Sequence, residues 1–245
     1  MGTRLYPLTK DLPKMLIEIE NGQTLIDKQI QLFIESGVVD EVIYVIGYRA
    51  GMIEKKLSDI AAETSIKFRT IYNPFFESSN NLISLWLARN EIESEVIITN
   101  GDNLFFPDVF RRIDKIKKPG IFISVLEKDY YDEDDMKVIR DEKGLLQSIG
   151  KTIDKNKCNA ESVGLAKIQG DSYIEKFVYS LEQLVRGELG LNSFWLETFN
   201  HLSLNGTSVA TLDILEANEW QEIDFHLDLI RAKELIKQRI QNLKR

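Results

Sequence analysis

Hydrophobic and polar positions repeat with two different periods along the first hundred residues. In residues 24–36 (TLIDKQIQLFIES), Leu25, Ile26, Gln29, Ile30 and Phe33 fall near one face of a 3.6-residue helix, and Gly37 is a natural stop. Residues 41–46 (EVIYVI) read as a buried strand ending at Gly47-Tyr48, residues 50–62 as a helix and residues 66–72 (IKFRTIY) as a strand. Asn73-Pro74 breaks the pattern. A helix is predicted over 80–91 (NNLISLWLARNE), with Ser79 or Asn80 as its N-cap, and a strand over 95–99 (EVIIT), followed by Asn100-Gly101-Asp102. This strand–helix alternation predicts an α/β fold with a doubly wound, mostly parallel sheet.

The second half is more mixed. A strand is predicted over 120–126 (GIFISVL), and a hairpin over 136–149 that turns at Glu142-Lys143-Gly144. A further strand follows over 161–168 and a helix over 171–186. Short strands fall at 207–213 and 219–223, and a long final helix at 225–243. No repeat, low-complexity tract or linker interrupts the chain, so residues 1–245 read as one domain.

Composition narrows the chemistry. A length of 245 residues suits one large α/β domain or two small ones, and 43% hydrophobic content is enough for a substantial core. Cys158 is the only cysteine, which leaves no intrachain disulfide and no cysteine-based metal site. No signal-peptide pattern or run of eighteen apolar residues is present, so a cytoplasmic protein without a membrane partner is expected. The net charge of −8, with Lys and Arg scattered, argues against nucleic acid as a partner. One nucleotide needs only a local cluster of cations. His201, His226 and Cys158 sit in no motif and receive no role.

Candidate chemistry is concentrated in residues 1–19, where Gly2, Thr3 and Arg4 are followed by Pro7-Leu8-Thr9 and then by Pro13-Lys14. Glycine permits close approach of backbone to ligand, and Arg and Lys supply charge where phosphate oxygens lie. The string resembles the signature loop of nucleotidyltransferases, which join a nucleoside triphosphate to a phosphorylated small molecule. There the pattern reads roughly Leu-Ala-Ala-Gly-x-Gly-Thr-Arg-Leu-x-Pro-Leu-Thr, then Pro-Lys. The resemblance implies nucleotide contacts at Gly2 and Thr3, and catalytic cations at Arg4 and Lys14. It also implies a first strand and an Ala-Ala-Gly turn ahead of Met1. An internal start, a truncation, or another segment filling that place would each account for their absence. The same resemblance divides the domain into a nucleotide-binding half, about 1–115, and an acceptor-binding half, about 116–245.

Asp102 follows a predicted buried strand, and in open α/β sheets ligands bind at the carboxyl ends of strands. Asp224, in Trp220-Gln221-Glu222-Ile223-Asp224, precedes the final helix, where an aspartate is also a favoured N-cap. A turn or capping aspartate is the plain alternative for each. The resemblance assigns both to a Mg²⁺ site and sets Gly101 beside the nucleotide. Carboxylates suit such a hard cation.

Asn80, Asn81 and Ser84 could read the edge of a base, since amides offer donors and acceptors, or could simply cap and turn the chain. The stretch Ser78-Ser79-Asn80-Asn81-Leu82-Ile83-Ser84-Leu85-Trp86 is similar to that of bacterial CTP:phosphocholine cytidylyltransferases. For the acceptor, the candidates are Tyr130 and Asp134 in an acidic loop, Lys137 and Lys151 at the two ends of the hairpin, Glu161, and Trp195 with Glu197. Aromatic rings with carboxylates suit a quaternary ammonium. The alternatives are a solvated acidic loop and a core tryptophan. The family's aromatic–acid pair is displaced by one residue at Glu197.

The implied function is transfer of a nucleotidyl group, from CTP, to a phosphorylated acceptor such as phosphocholine, with release of pyrophosphate. The partners are then a nucleoside triphosphate and the acceptor, and a homodimer is compatible. Two other readings stay open: a sugar-1-phosphate nucleotidyltransferase using UTP, GTP or dTTP, and a nucleotide-binding regulatory or degenerate protein.

Overall fold

A computed structural model describes residues 3–188, 190–213 and 216–243. After two single 3₁₀ turns at Thr3–Leu5 and Lys14–Leu16, a short hairpin forms from β1 (Glu18–Glu20) and β2 (Gln23–Thr24). Asn21-Gly22 closes it, both residues having positive φ (50° and 79°), as a two-residue type I′ turn requires. Helix α1 (Leu25–Ser36) starts at a capping box in which Thr24 and Asp27 satisfy each other's amides, and it ends at left-handed Gly37. Strand β3 (Glu41–Ile46), helix α2 (Ala50–Ala61) and strand β4 (Lys67–Tyr72) form a βαβ unit with its two strands parallel. Then come α3 (Asn81–Leu87), β5 (Glu95–Thr99), β6 (Asn103–Phe105) and α4 (Pro107–Asp114), the last opened by a proline that has no N–H to lose. The remainder is β7 (Gly120–Leu126), β8 (Lys137–Arg140), β9 (Leu146–Gly150), β10 (Ala160–Gln169), α5 (Asp171–Arg186), α6 (Glu197–Leu204), β11 (Val209–Asp213), β12 (Trp220–Glu222) and α7 (His226–Leu243).

These elements cluster into two compact units, each discontinuous in sequence. The first takes the described residues up to Tyr72, then Gly101–Lys115, then those from Glu216 on. Its helix α1 lies between two apolar clusters. One face places Ile26 and Ile30 against Tyr44 and Ile46 of β3 and Ile53 and Leu57 of α2. The other places Leu25 and Leu32 with Leu104 of β6, Ile223, and Leu229, Ala232 and Ile236 of α7. Each fully buried Leu or Ile side chain contributes about 1.5–3 kcal/mol. Antiparallel pairing of β6 with β12 sets Asn103 opposite Glu222. An ion pair at 2.7 Å between Asp108 and Arg239 joins α4 to α7.

The second unit spans Asn73–Asn100 and the described residues of 116–215. Its six-stranded sheet runs β11-β7-β10-β8-β9, with β5 also on β10. Strand β10 is antiparallel to β5, β7 and β8, while β7 and β11 are parallel. A register shift falls between Ser162 and Ala166, where Gly164 has φ 69°. Ile174, Phe177 and Leu181 repeat along one face of α5, and Phe177 and Phe199 bury their rings 5.8 Å apart.

The fold is mixed α/β with a multi-strand sheet, as the hydrophobic pattern implied. The parallel pairs among the described residues are β3–β4 and β7–β11. Strand direction is set by the path of each connection rather than by residue period, so alternation alone could not give the sense of β10. None of the described helices is long and apolar enough to cross a membrane.

Candidate active site

The loop carrying the two candidate cations is tied down by its own backbone and by the residues after β3. Leu5 is fully buried, and the Leu8 N–H donates to the Leu5 carbonyl at 2.9 Å. Leu16 and Ile17 N–H groups donate to the carbonyls of Pro13 and Lys14. From the carboxyl end of β3, the Tyr48 hydroxyl donates to the Lys10 carbonyl at 2.7 Å, and Arg49 pairs with Asp11 at 2.8 Å. Arg4 and Lys14 therefore project from a braced segment. Gly2 lies outside the described residues, and Thr3 contributes backbone to the first 3₁₀ turn.

Two further segments bring carboxylates to these cations. Gln29 of α1 donates to the carbonyls of Gly101 (3.0 Å) and Asn103 (2.8 Å), clamping the turn that carries Asp102. The Ile223 N–H donates to the Asp102 carbonyl at 3.0 Å. At the start of α7 the capping carboxylate is Asp228, whose Oδ2 accepts from the N–H groups of Asp224 (3.0 Å) and Phe225 (2.7 Å). The Asp224 carboxylate is thereby left to the cations. Lys14 Nζ lies 2.8 Å from Asp102 Oδ2 and 2.5 Å from Asp224 Oδ1. Arg4 Nη1 lies 3.1 Å from Asp224 Oδ2, and its guanidinium sits 5.1 Å from the centre of the Phe225 ring.

Burial of Lys14 works against its charge. The charge of Asp102 and the hydrogen bonds to Asp102 and Asp224 outweigh that, and its pKa lies above the ordinary lysine value. An open pocket of about 400 Å³ adjoins the cluster, lined by Arg4, Lys14, Gly47, Tyr48, Gly101 and Asp102 among others. A Cβ built on Gly101 would meet only the Met15 side chain, with the sulfur nearest at 3.6 Å, so this glycine is not forced by crowding.

Oxygens of Asp102, Glu222 and Asp224 lie within 4.8 Å of one another. Asp102 Oδ1 is buried with no hydrogen-bond partner. A set of hard oxygen donors with one unsatisfied carboxylate oxygen fits a divalent cation such as Mg²⁺. Glu222 was not singled out from sequence. Its spacing of two from Asp224 in an extended segment is the signal that could have found it. Gly47 and Tyr48, at the carboxyl end of a parallel strand, were likewise open to the rule on strand ends.

The sequence profile of the nucleotidyl transferase family matches residues 1–178. The chain belongs to the nucleotidyl transferase family. Over 111 residues it is 31% identical to a choline-phosphate cytidylyltransferase of Streptococcus pneumoniae, a match covering 45% of this chain and 44% of that protein. A match of 22% identity to a CTP:phosphoglutamine cytidylyltransferase of Campylobacter jejuni covers 93% of this chain and 94% of that one. The fold is similar to that of an inositol-1-phosphate CTP transferase from T. maritima (TM-score 0.77, 22% identity, 96% of this chain and 91% of that one).

In this nucleotidyl transferase the other candidate residues all lie in the second unit. Asn80 caps α3 through its own Oδ1, and its amide donates to the Asn192 carbonyl at 3.3 Å. Asn81 Oδ1 accepts from the Trp195 N–H at 2.9 Å, and Ser84 Oγ accepts from Asn73 at 3.0 Å. These groups serve the local structure. Trp195 is 3% exposed, with its ring N–H on Asn100 at 2.8 Å and its face against Phe199, so the indole is core. Lys137 is buried and donates to the carbonyls of Glu133, Asp135 and Lys151, which also makes it structural. Glu197 accepts from Asn200 at 2.7 Å.

Tyr130, Asp134, Lys151 and Glu161 remain near the acidic loop. Lys151 pairs with Asp134 at 2.7 Å, and the Lys155 ammonium covers the exposed Tyr130 ring at 5.1 Å. Glu161 is buried beside Lys128, whose Nζ is 2.6 Å away. Burial pushes its carboxyl up to about 7, against the pull of Lys128 and with the help of Asp135.

Proposed function

We propose that this nucleotidyl transferase moves the nucleotidyl group of a nucleoside triphosphate, CTP by preference, onto the phosphate of a small acceptor and releases pyrophosphate. The observation that carries the reading is the cluster of Arg4, Lys14, Asp102 and Asp224 beside an open pocket at the end of β3. An acceptor phosphate oxygen would attack the α-phosphorus while the bond to the bridging oxygen breaks and pyrophosphate leaves. The acceptor is already anionic, so no general base is needed, and catalysis is positioning plus charge neutralisation. Arg4 and Lys14 would offset charge on the phosphate oxygens as it develops. Asp102 and Asp224, with Glu222 beside them, would hold Mg²⁺, which when bound supplies Lewis-acid neutralisation of phosphate charge.

Preference for CTP rests on the relatives from S. pneumoniae and C. jejuni, both named as cytidylyltransferases. For the acceptor, phosphocholine is the first candidate because a relative is named for it. A hydroxylated or anionic acceptor, including a sugar 1-phosphate, is favoured by one observation. The rings of Tyr130, Tyr131 and Phe194 each carry a lysine ammonium, at 5.1, 5.8 and 5.4 Å, where a choline head would sit. Pyrophosphate release measured over a panel of triphosphates and acceptors tests all of this. CTP ahead of UTP, GTP and dTTP is expected. Binding of nucleotide without turnover on any acceptor would favour the regulatory reading instead.

A further inference from the structure

Both carboxylate oxygens of Asp224 already face a cation. Oδ1 is 2.5 Å from Lys14 Nζ, and Oδ2 is 3.1 Å from Arg4 Nη1. Asp102 offers its buried Oδ1, but its Oδ2 is held by the same Lys14 ammonium at 2.8 Å. A divalent ion that bridges the two aspartates at the usual distance, about 2.0–2.1 Å for Mg²⁺, would compete for oxygens the ammonium occupies. Lys14 reaches both aspartates, and Arg4 pairs with Asp224.

We propose that Lys14 is an internal competitor for the divalent ion: its ammonium holds the Asp102–Asp224 pair together until an ion displaces it toward the phosphate-binding pocket. This rests on the reading that these two aspartates hold the ion. It adds that the same lysine is bound to carboxylates before ion binding and released to substrate phosphate after it. Without Lys14, the carboxylates would face each other without the ammonium that pairs with both. The ion-free protein would then be less stable and the ion would bind more tightly. A purely structural lysine would lower stability under both conditions and would not raise ion affinity.

The test uses the whole protein without nucleotide, with Mn²⁺ as the probe and free Mn²⁺ read by electron paramagnetic resonance. Lys14→Met is expected to bind Mn²⁺ roughly tenfold more tightly than wild type, the scale of changing one group around a metal. Lys14→Arg, which keeps the charge, is expected to return toward wild type. Equal or weaker binding by Lys14→Met overturns the proposal. Asp224→Asn separates the two levels of the argument. If wild type and Asp224→Asn bind Mn²⁺ alike, or if neither they nor Lys14→Met bind it, the metal assignment itself fails and the competition fails with it. If Asp224→Asn loses binding while Lys14→Met is unchanged, only the competition fails. A second measurement needs no variant. Acetylation of Lys14 by an amine-reactive ester, followed by mass spectrometry, is expected to accelerate in wild type when Mn²⁺ is added, and an unchanged rate with Mn²⁺ bound counts against displacement.

Discussion

Asp224 meets two cations and caps nothing, because Asp228 accepts the amides at the start of α7. Asp224→Asn is therefore expected to abolish pyrophosphate release at a small cost in stability, within about 1 kcal/mol for a part-exposed pair, by urea unfolding. Lys14→Ala is expected to lower kcat by roughly 10² or more, the scale of losing one preorganised charge partner, and steady-state kinetics check it. A change confined to KM would speak against a role in the transition state.

Glu161 gives a pH dependence. Its carboxyl is raised from 4.5 to about 7 by burial, so the folded chain keeps a proton that the unfolded chain gives up. Stability then falls as pH rises from about 4.5 to about 7, where the unfolded state binds fewer protons, and the loss is complete above that. Glu161→Gln, which cannot ionise, is expected to flatten unfolding free energy across this window and to be relatively more stable at pH 8. Unchanged pH dependence in that variant would exclude Glu161 as its source.

At the scale of elements, α1 carries both packing and site. Gln29, on its polar edge, holds the carbonyls on either side of Asp102. Gln29→Leu would remove one donor from each of those carbonyls, at a cost of about 1–3 kcal/mol, and would loosen the turn that presents Asp102. A fall in kcat/KM alongside the stability loss is expected, and unchanged kinetics would show that the turn holds without the clamp. From sequence, Gln29 counted only as a helix-face position, because periodicity registers where a side chain lies and not what it reaches 72 residues away.

Much of the fold was legible for the same local reason. Thr24 and Gly37 bracket α1, and 41–46 reads as a strand on composition alone. The elements missed were short. The three residues of β6 are too few for a period, and α4 and α6, of eight residues each, give little more than two turns. At the site, Arg4, Lys14, Asp102 and Asp224 were all named from sequence and do meet. Asn80, Asn81 and Trp195 hydrogen-bond within their own unit, and no local pattern distinguishes a core indole from a ligand-facing one.

At the scale of the whole molecule, a chain of net charge −8 must bind a triphosphate of the same sign, so the cations at Arg4 and Lys14 work against the overall field. Binding should be visible as stabilisation. CTP with Mg²⁺ at a hundredfold excess over Kd is expected to add about 2.7 kcal/mol to wild type, and much less to Asp102→Asn. Thermal unfolding with and without ligand checks this.

The site-bearing unit is built from three separate stretches of sequence, and Arg4 and Asp224 touch across 220 positions. During synthesis the loop with Arg4 and Lys14 leaves the ribosome long before its partner carboxylates. Asp102 follows, and Asp224 comes last of the four. Until then the two cations are exposed without the charges that balance them, and the second unit's sheet is almost entirely made before the first unit can close. A nascent chain stalled between β11 and Asp224 would hold every strand of the sheet but not the second carboxylate that meets Arg4 and Lys14.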